Sequence, residues 1–265
     1  MGKTAGGILE SDGSGELKTE SVVRTAVIVG FVALIEILCR TGVIPASVLL
    51  APSAMVVHGI DILHARKFNH DIWISLFEIV TAWVLSVLLG FTIGLGIHAV
   101  PRLRRAIEPL LSSYYAVPTF IFYPVFIVVL GVGPLPIIAI AVMLAVVTMI
   151  TATLDGLDRI PRALHNSALV MRLSPWRSAL YIKLPAALPY LFTGVKLAVA
   201  YAFIGVIASE FILSGSGIGY AIGYAYNNFQ NDDMYSLMLL VLVTVTLVNM
   251  VLNHIDRRFQ LRRQR

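Results

Sequence analysis

Four charged side chains sit inside apolar stretches of this sequence: Glu36, Glu78, Lys196 and Glu210. Charge in such surroundings is costly, so each needs a reason to be there. Glu210 follows Ser209 and precedes Gly215-Ser216-Gly217-Ile218-Gly219-Tyr220. There it is expected either to gate a mouth or receive a docked protein, or to act as a plain carboxylate at the water interface or between two copies of the chain. Lys196 lies one to two turns inside the end of its stretch, where it either meets a solute or snorkels to water. Glu36 is expected near an interface. Glu78 is expected to pair with a base or line a cavity, and neither is favoured as a ligand. Tyr115, Thr119 and Tyr123 stand at i, i+4 and i+8, a spacing that puts three hydroxyls on one helix face for a planar or anionic solute. Pro118 and Pro124 interrupt that helix, and the carbonyls they free are tolerated only where protein or a water-filled cavity satisfies them. An aromatic helix with ordinary hydrogen bonds explains the same residues.

Other patterns carry no chemistry. His58, His64 and His70 recur every six residues, which turns a helix about 240° per step and gathers no ligand set on one face. Cys39 is the single cysteine, so an intrachain disulfide and a thiolate zinc site are both excluded. Gly215, Gly217 and Gly219 follow an apolar span with no strand before them and read as a turn, not a nucleotide loop. Gly90 and Gly94 read as small residues that let helices approach closely. No spacing of Ser, His and Asp implies a hydrolytic triad. The expectation is no enzymatic site, no catalytic residue and no metal.

The elements that position these residues follow from composition. The chain is 58% hydrophobic and 13% charged with a mean hydropathy of +0.84, outside the balance of a soluble domain. Its apolar runs approach or exceed the roughly 20 residues a spanning helix needs, and are too long for the strands of a barrel, about 10 residues each. The fold class is therefore all-α, a polytopic membrane protein of about six transmembrane helices. The expected spans are 22–38, 72–100, 109–130, 135–154, 190–213 and 235–253, in a single membrane domain over 21–256. Residues 1–20, rich in Gly, Ser and acidic residues, read as a disordered tail, and 257–265 as a basic tail. The amino-terminal stretch lacks the features of a signal peptide, so the first span is expected in the mature protein. Sixteen of the 20 Lys and Arg residues flank one side, which predicts both termini and the 155–189 loop to be cytoplasmic. The bases flank spans and form no long stripe interleaved with aromatics, so no nucleic-acid partner is expected.

The 155–189 loop is long for a helix connection and reads as structured. Ser174-Pro175-Trp176 is a helix start, with Ser as N-cap and Pro at the first helical position. Trp176, Leu180 and Tyr181 then share a helical spacing beside Arg177 and Lys183, and the helix is expected to stop at Leu184-Pro185. Ile182-Lys183-Leu184-Pro185-Ala186-Ala187-Leu188-Pro189 resembles the end of the cytoplasmic loop motif of binding-protein-dependent ABC importer permeases. There Glu-Ala-Ala, three residues and Gly precede Ile-x-Leu-Pro at fixed distance. By that spacing Asn166-Ser167-Ala168 replaces Glu-Ala-Ala, and Arg172 stands at the usual Gly, followed by Leu173-Ser174-Pro175-Trp176-Arg177. The resemblance extends from Ile44 to Arg258. It takes in Ala51-Pro52-Ser53, Pro101-Arg102-Leu103-Arg104-Arg105, Glu108-Pro109-Leu110-Leu111, Gly131-Val132-Gly133, Ala208-Ser209-Glu210-Phe211 and the glycine-rich turn. Together these are similar to the nitrate, sulfonate and taurine branch.

That resemblance implies a type I ABC importer permease with a coupling helix made by residues 166–168 and 172–177. It implies a homodimer in a bacterial inner membrane, two ATP-binding subunits that hold ATP and Mg, and an extracytoplasmic substrate-binding protein. The cargo it implies is a small anion or a heterocyclic nutrient. The chain contains no Gly-x-x-x-x-Gly-Lys-Ser/Thr loop, so its energy source lies in another polypeptide. The alternative is a self-sufficient secondary transporter or channel, which would show inverted repeats and midplane charge pairs.

Overall fold

A computed structural model describes the backbone of residues 13–263, with the side chains of 13–21, 24, 162, 165, 169, 175, 176, 257 and 259–263 outside that description. All regular elements among the described residues are helical. In order they are α1 (Gly13–Arg40), α2 (Pro52–Ala65), α3 (Asn69–Ala99), α4 (Pro101–Tyr114), a 3-10 turn (Thr119–Phe122), α5 (Tyr123–Leu130) and α6 (Pro134–Asp158). Then come α7 (Arg162–Val170), α8 (Pro175–Ser178), a π turn (Ala179–Lys183), α9 (Leu184–Leu213), α10 (Ile218–Asn227) and α11 (Asn231–Arg263).

Four helices are long and apolar enough to cross a membrane among the described residues: α3, α6, the continuous helix Ala179–Leu213, and Asn231–Asp256 of α11. The bent pair Pro101–Tyr114 and Thr119–Leu130 makes a fifth if counted as one span, and α1 contains the expected first span. The expected span over 109–130, interrupted by Pro118 and Pro124, falls within this bent pair. Its two limbs meet at 97° because Pro118 has no N–H to donate and holds Val117 out of the helical region.

Three boundaries differ from expectation. Residues 13–20 form the first turns of α1 and do not lie in a disordered tail, since Glu16, Leu17 and Lys18 are good helix formers and extending a nucleated helix orders few groups per bond gained. Residues 1–12 of that expected tail lie outside the described residues. Likewise 257–263 of the expected basic tail continue α11, and residues 264–265 lie outside. The helix after Ser174 does not stop at Leu184-Pro185. A π turn over Ala179–Lys183 precedes Pro185, which falls in the first turn of α9, and the wider ring absorbs the missing donor without breaking the axis.

The core is α6 held between α3 and α9. Lipid is as apolar as leucine, so close backbone approach must supply the attraction that water exclusion supplies elsewhere. Glycines provide it. A Cβ at Gly90 would lie 2.6 Å from Met149 Cβ and one at Gly94 would lie 2.8 Å from Thr153 Cβ. On the other flank a Cβ at Gly194 would meet Ala152 Cβ at 2.5 Å and one at Gly205 would meet Ala141 Cα at 2.6 Å. The apolar faces of α1 and α5 stay open, with Phe31, Val128 and Val129 largely exposed.

Gly205→Ala must push the α6 backbone away and is expected to cost about 1–3 kcal/mol, the usual penalty for overpacking. Gly96→Ala, with nothing within 4 Å of the added methyl, is expected to be neutral or stabilising by up to about 1 kcal/mol. Thermal melting of the two variants in detergent checks the contrast.

Candidate functional site

Two ends of the bundle carry chemistry. At the basic end the termini of α3 and α6 are tied together. Asp158 takes Arg104 at 2.8 Å and His98 at 3.3 Å, and Lys196 of α9 pairs with Asp256 of α11 at 2.7 Å. Between α6 and α9, α7 ends in a left-handed turn. Arg172 has φ +51°, Leu173 N–H donates to the Ala168 carbonyl at 3.1 Å, and Met171 N–H donates to Ser167 at 3.0 Å. This is a Schellman-type stop, with Arg172 at the position glycine favours because it has no Cβ to crowd the carbonyl. The geometry explains why a Gly belongs at this point of the motif and what its loss costs here.

Ser174 then caps α8 as its sequence suggests. Its Oγ accepts Arg177 N–H at 3.4 Å, and its carbonyl accepts Ser178 N–H at 2.9 Å. Ala168 is buried, while Asn166, Ser167, Ser174, Arg172, Arg177, Leu180 and Tyr181 are exposed and Leu173 is half-buried. The side chains of Pro175 and Trp176 lie outside the described residues. A cavity of about 870 Å³, lined by Phe91, Leu95, Leu157, Leu180, Leu184 and Leu191, separates this segment from α3 and α6. The segment runs directly into the unbroken helix Ala179–Leu213.

At the other end of that helix the glycine-rich turn folds around Glu210, which is wholly buried. Ser75 Oγ donates to the Glu210 carboxyl, 2.6 Å from Oε1 and 2.8 Å from Oε2, and accepts Ile218 N–H at 2.7 Å. Gly219 N–H donates to Glu210 Oε2 at 2.8 Å, and Gly217 N–H to Asp71 Oδ1 at 2.9 Å. The turn's backbone donors thus point inward at carboxylates. Gly217 has φ +101°, and a Cβ there would collide with the Glu210 carboxyl, while one on Gly219 would collide with the Ile207 carbonyl oxygen. Glu78, also buried, stands one turn beyond Ser75 on the face of α3 that meets Glu210. Of the two readings its sequence offered, pairing with a base or lining a cavity, the first is not met, since no Lys, Arg or His pairs with Glu78 among the described residues.

Comparison with known proteins joins these two ends. The family model described as binding-protein-dependent transport system inner membrane component matches residues 86–265. The chain belongs to that family. It is similar to a probable ABC transporter permease protein of Haemophilus influenzae, 29% identical over 85% of this chain and 91% of that protein. It is also similar to the nitrate import permease NrtB of Leptolyngbya laminosa, 28% identical over 68% of this chain. A further match is the bicarbonate transport permease CmpB of a Synechocystis species, 31% identical over 57% of this chain. The match spans 63% and 55% of those two relatives' lengths. In structure it resembles a chain of the inward-facing MetNI methionine ABC transporter, with a TM-score of 0.58 at 21% identity over 71% of this chain and 96% of that one. The protein is a multi-pass inner-membrane permease component of an ABC importer with the type I fold.

The permease distributes the hydroxyl row expected over 115–123. Tyr115 precedes the 97° bend, half-exposed with its ring centroid 6.0 Å from that of Tyr201. Thr119 is buried in the 3-10 turn, its Oγ1 without a hydrogen-bond partner among the described residues, and Tyr123 donates to the Leu213 carbonyl at 2.5 Å. The bend at Pro118 ends the common helix face on which the row depended. Lys196 is held by Asp256 and Asn253 above the Phe192 ring. Glu36 accepts Ser53 N–H at 3.0 Å and pairs with Arg40, capping the first turn of α2. Ala51-Pro52-Ser53 is therefore a helix start clasped from α1. His58 lies against Asp233, which also takes Lys67.

Sequence reasoning missed Asp71 and Ser75. The signal was present, since Asp71, Ser75 and Glu78 stand at i, i+4 and i+7, a polar stripe on an otherwise apolar helix.

Arg172→Gly is expected to stabilise the α7 stop by about 1 kcal/mol, read as slower hydrogen exchange of the Leu173 amide, with Arg172→Ala giving no such gain. Gly219→Ala is expected to abolish correctly folded permease, whereas Gly215→Ala, with open space around it, should be recovered at wild-type yield and melting temperature.

Proposed function

We propose that this permease forms the translocation pathway of an ATP-driven importer and couples it to separate ATPase subunits through the α7–α8 segment. The observation that carries the reading is mechanical. An exposed, capped, basic segment is joined by one 35-residue helix to a turn wrapped on a buried carboxylate. Such a helix is about 52 Å long. A push on α8 therefore reaches Glu210 and the glycine-rich turn with little loss along the way.

In this reading two copies of the permease face each other, each gripped by an ATPase holding ATP and Mg. The basic end and both termini are cytoplasmic by the Lys and Arg bias. Asn166, Ser167, Ala168, Arg172, Leu173, Ser174, Pro175, Trp176 and Arg177 make the docking element. An extracytoplasmic binding protein delivers the cargo at the end that carries Glu210. Reversing a 1:99 equilibrium between inward- and outward-facing states takes about 5.5 kcal/mol of differential binding, shared between ATP-driven closure and the docked binding protein.

The cargo is a small anion, as the relatives named for nitrate and bicarbonate suggest. Lys196 is neutralised by Asp256, so the pathway meets such a solute with hydroxyls and backbone donors and not with a fixed cation. Tyr115 and Thr119 are the pathway residues this reading favours, with Tyr123 and Glu210 shaping its end.

In a background where Cys39 is replaced by Ser, Arg177→Cys is expected to crosslink to a cysteine placed in the co-expressed ATPase. Arg177→Glu is expected to lower ATP-dependent uptake at least about tenfold, the equivalent of ~1.4 kcal/mol of lost docking. Uptake by the permease without ATPase, or no crosslink from any position in 172–177, would assign the chain to the self-sufficient carriers instead.

A further inference from the structure

The donors around the two buried carboxyls are unevenly shared. Glu210 receives Ser75 O–H and Gly219 N–H, a set suited to an ionised acceptor. Glu78 is equally buried, yet its Oε2 meets no donor among the described residues. A carboxylate left in apolar surroundings with a bare oxygen is among the costliest arrangements a protein can hold. Two carboxylates in contact add repulsion to that cost. A carboxylic acid removes both problems, because it supplies the hydrogen that the Glu78 to Glu210 contact needs and accepts its own lack of donors at lower cost.

We propose that Glu78 and Glu210 form a proton-binding site, in which Glu78 carries the proton and donates it to the Glu210 carboxylate, locking α3 to the glycine-rich turn. The network then has one sense throughout. Ile218 N–H gives to Ser75, Ser75 O–H and Gly219 N–H give to Glu210, and the proposed Glu78 O–H is a further donor to the same carboxylate. Release of the proton to water leaves two buried carboxylates, with Glu78 Oε2 still without a donor among the described residues.

The groups around the pair reinforce this assignment. Asp71 on α3 is the other acid acting on Glu210, and it is engaged with Gly217 N–H. Neither Glu78 nor Glu210 pairs with Lys, Arg or His among the described residues. α6 bears no charge before Asp155, and α10 contributes only tyrosines as titratable groups. On α11, Asp233 is already taken by Lys67 and His58. With no basic side chain paired to either acid among the described residues, a proton is the positive charge assigned to the site. By this device the loaded site adds a third fastening of the turn to α3, beside those through Asp71 and Ser75, and the added one is lost when the proton leaves.

Infrared spectroscopy of the assembled transporter tests the site without reference to transport. The wild type minus Glu78→Gln difference spectrum at neutral pH is expected to show the C=O stretch of a neutral carboxylic acid that shifts in D₂O. Should Glu78→Gln not assemble, Glu78→Asp serves, because it moves the same band instead of deleting it. As a second readout, Gly215→Cys in the Cys39→Ser background reports access to the turn. Its labelling is expected to accelerate at alkaline pH beyond the thiol's own ionisation, and that excess should vanish when Glu78→Gln is added. A difference spectrum showing only carboxylate bands overturns the proposal. So does a Glu78 acid band that appears only when sodium is replaced by choline, which would make the site one for a metal cation. Either result leaves the coupling role of α7–α8 untouched.

Discussion

Lipid gives a helix nothing to gain by hiding apolar side chains, so this fold depends on how closely α6 approaches its two neighbours. Gly90 and Gly94 on α3, and Gly194 and Gly205 on α9, face Met149, Thr153, Ala152 and Ala141 on α6 at distances that leave no room for a methyl group. Dispersion falls off steeply with separation, and many such contacts at short range hold the three helices where hydrophobic burial alone would not. Everything at either end is hung from this slab. The tie between Arg104 and Asp158 and the cradle around Glu210 form only because the axes of α3, α6 and α9 are already fixed.

The cradle shows the second constraint of the bilayer, that polar groups must find partners within the protein. The turn after α9 has to place several backbone N–H groups, and it turns them inward onto Asp71, Ser75 and Glu210. Glycine is required at 217 and 219 because a side chain at either would occupy the space of the carboxylate or of an α9 carbonyl. Tyr123 completes the arrangement from the far side by taking the orphan carbonyl of Leu213. A charged residue that looks like a ligand in the sequence is thus the pin of a turn. Its chemistry comes from a neighbour on another helix.

At the basic end the departure from the family motif becomes intelligible. Arg172 occupies a left-handed backbone that glycine enters freely, so the chain accepts local strain at the stop of α7. What the segment keeps is the cap on α8 and the unbroken path through the π turn into α9. These set where the segment points and how stiffly it is attached. The cavity between this segment and α3 and α6 is lined by Phe91, Leu157 and Leu180 among others.

The sequence by itself determined the all-helical membrane class, the cap at Ser174, the close-packing role of Gly90 and Gly94, and the motif around 166–189. Each of these depends on local spacing and composition, which a linear reading contains. Tertiary structure alone decided that Ser75 meets Glu210, that Lys196 is neutralised by Asp256, and that the hydroxyls of Tyr115, Thr119 and Tyr123 part company at Pro118. The polar stripe of Asp71, Ser75 and Glu78 could be read from the sequence, but not the turn 143 residues away that its Ser75 receives. The reason is physical: in lipid the partner of a buried polar group is chosen by which helix lies alongside, and that choice is made by packing across the bundle, not by neighbours along the chain.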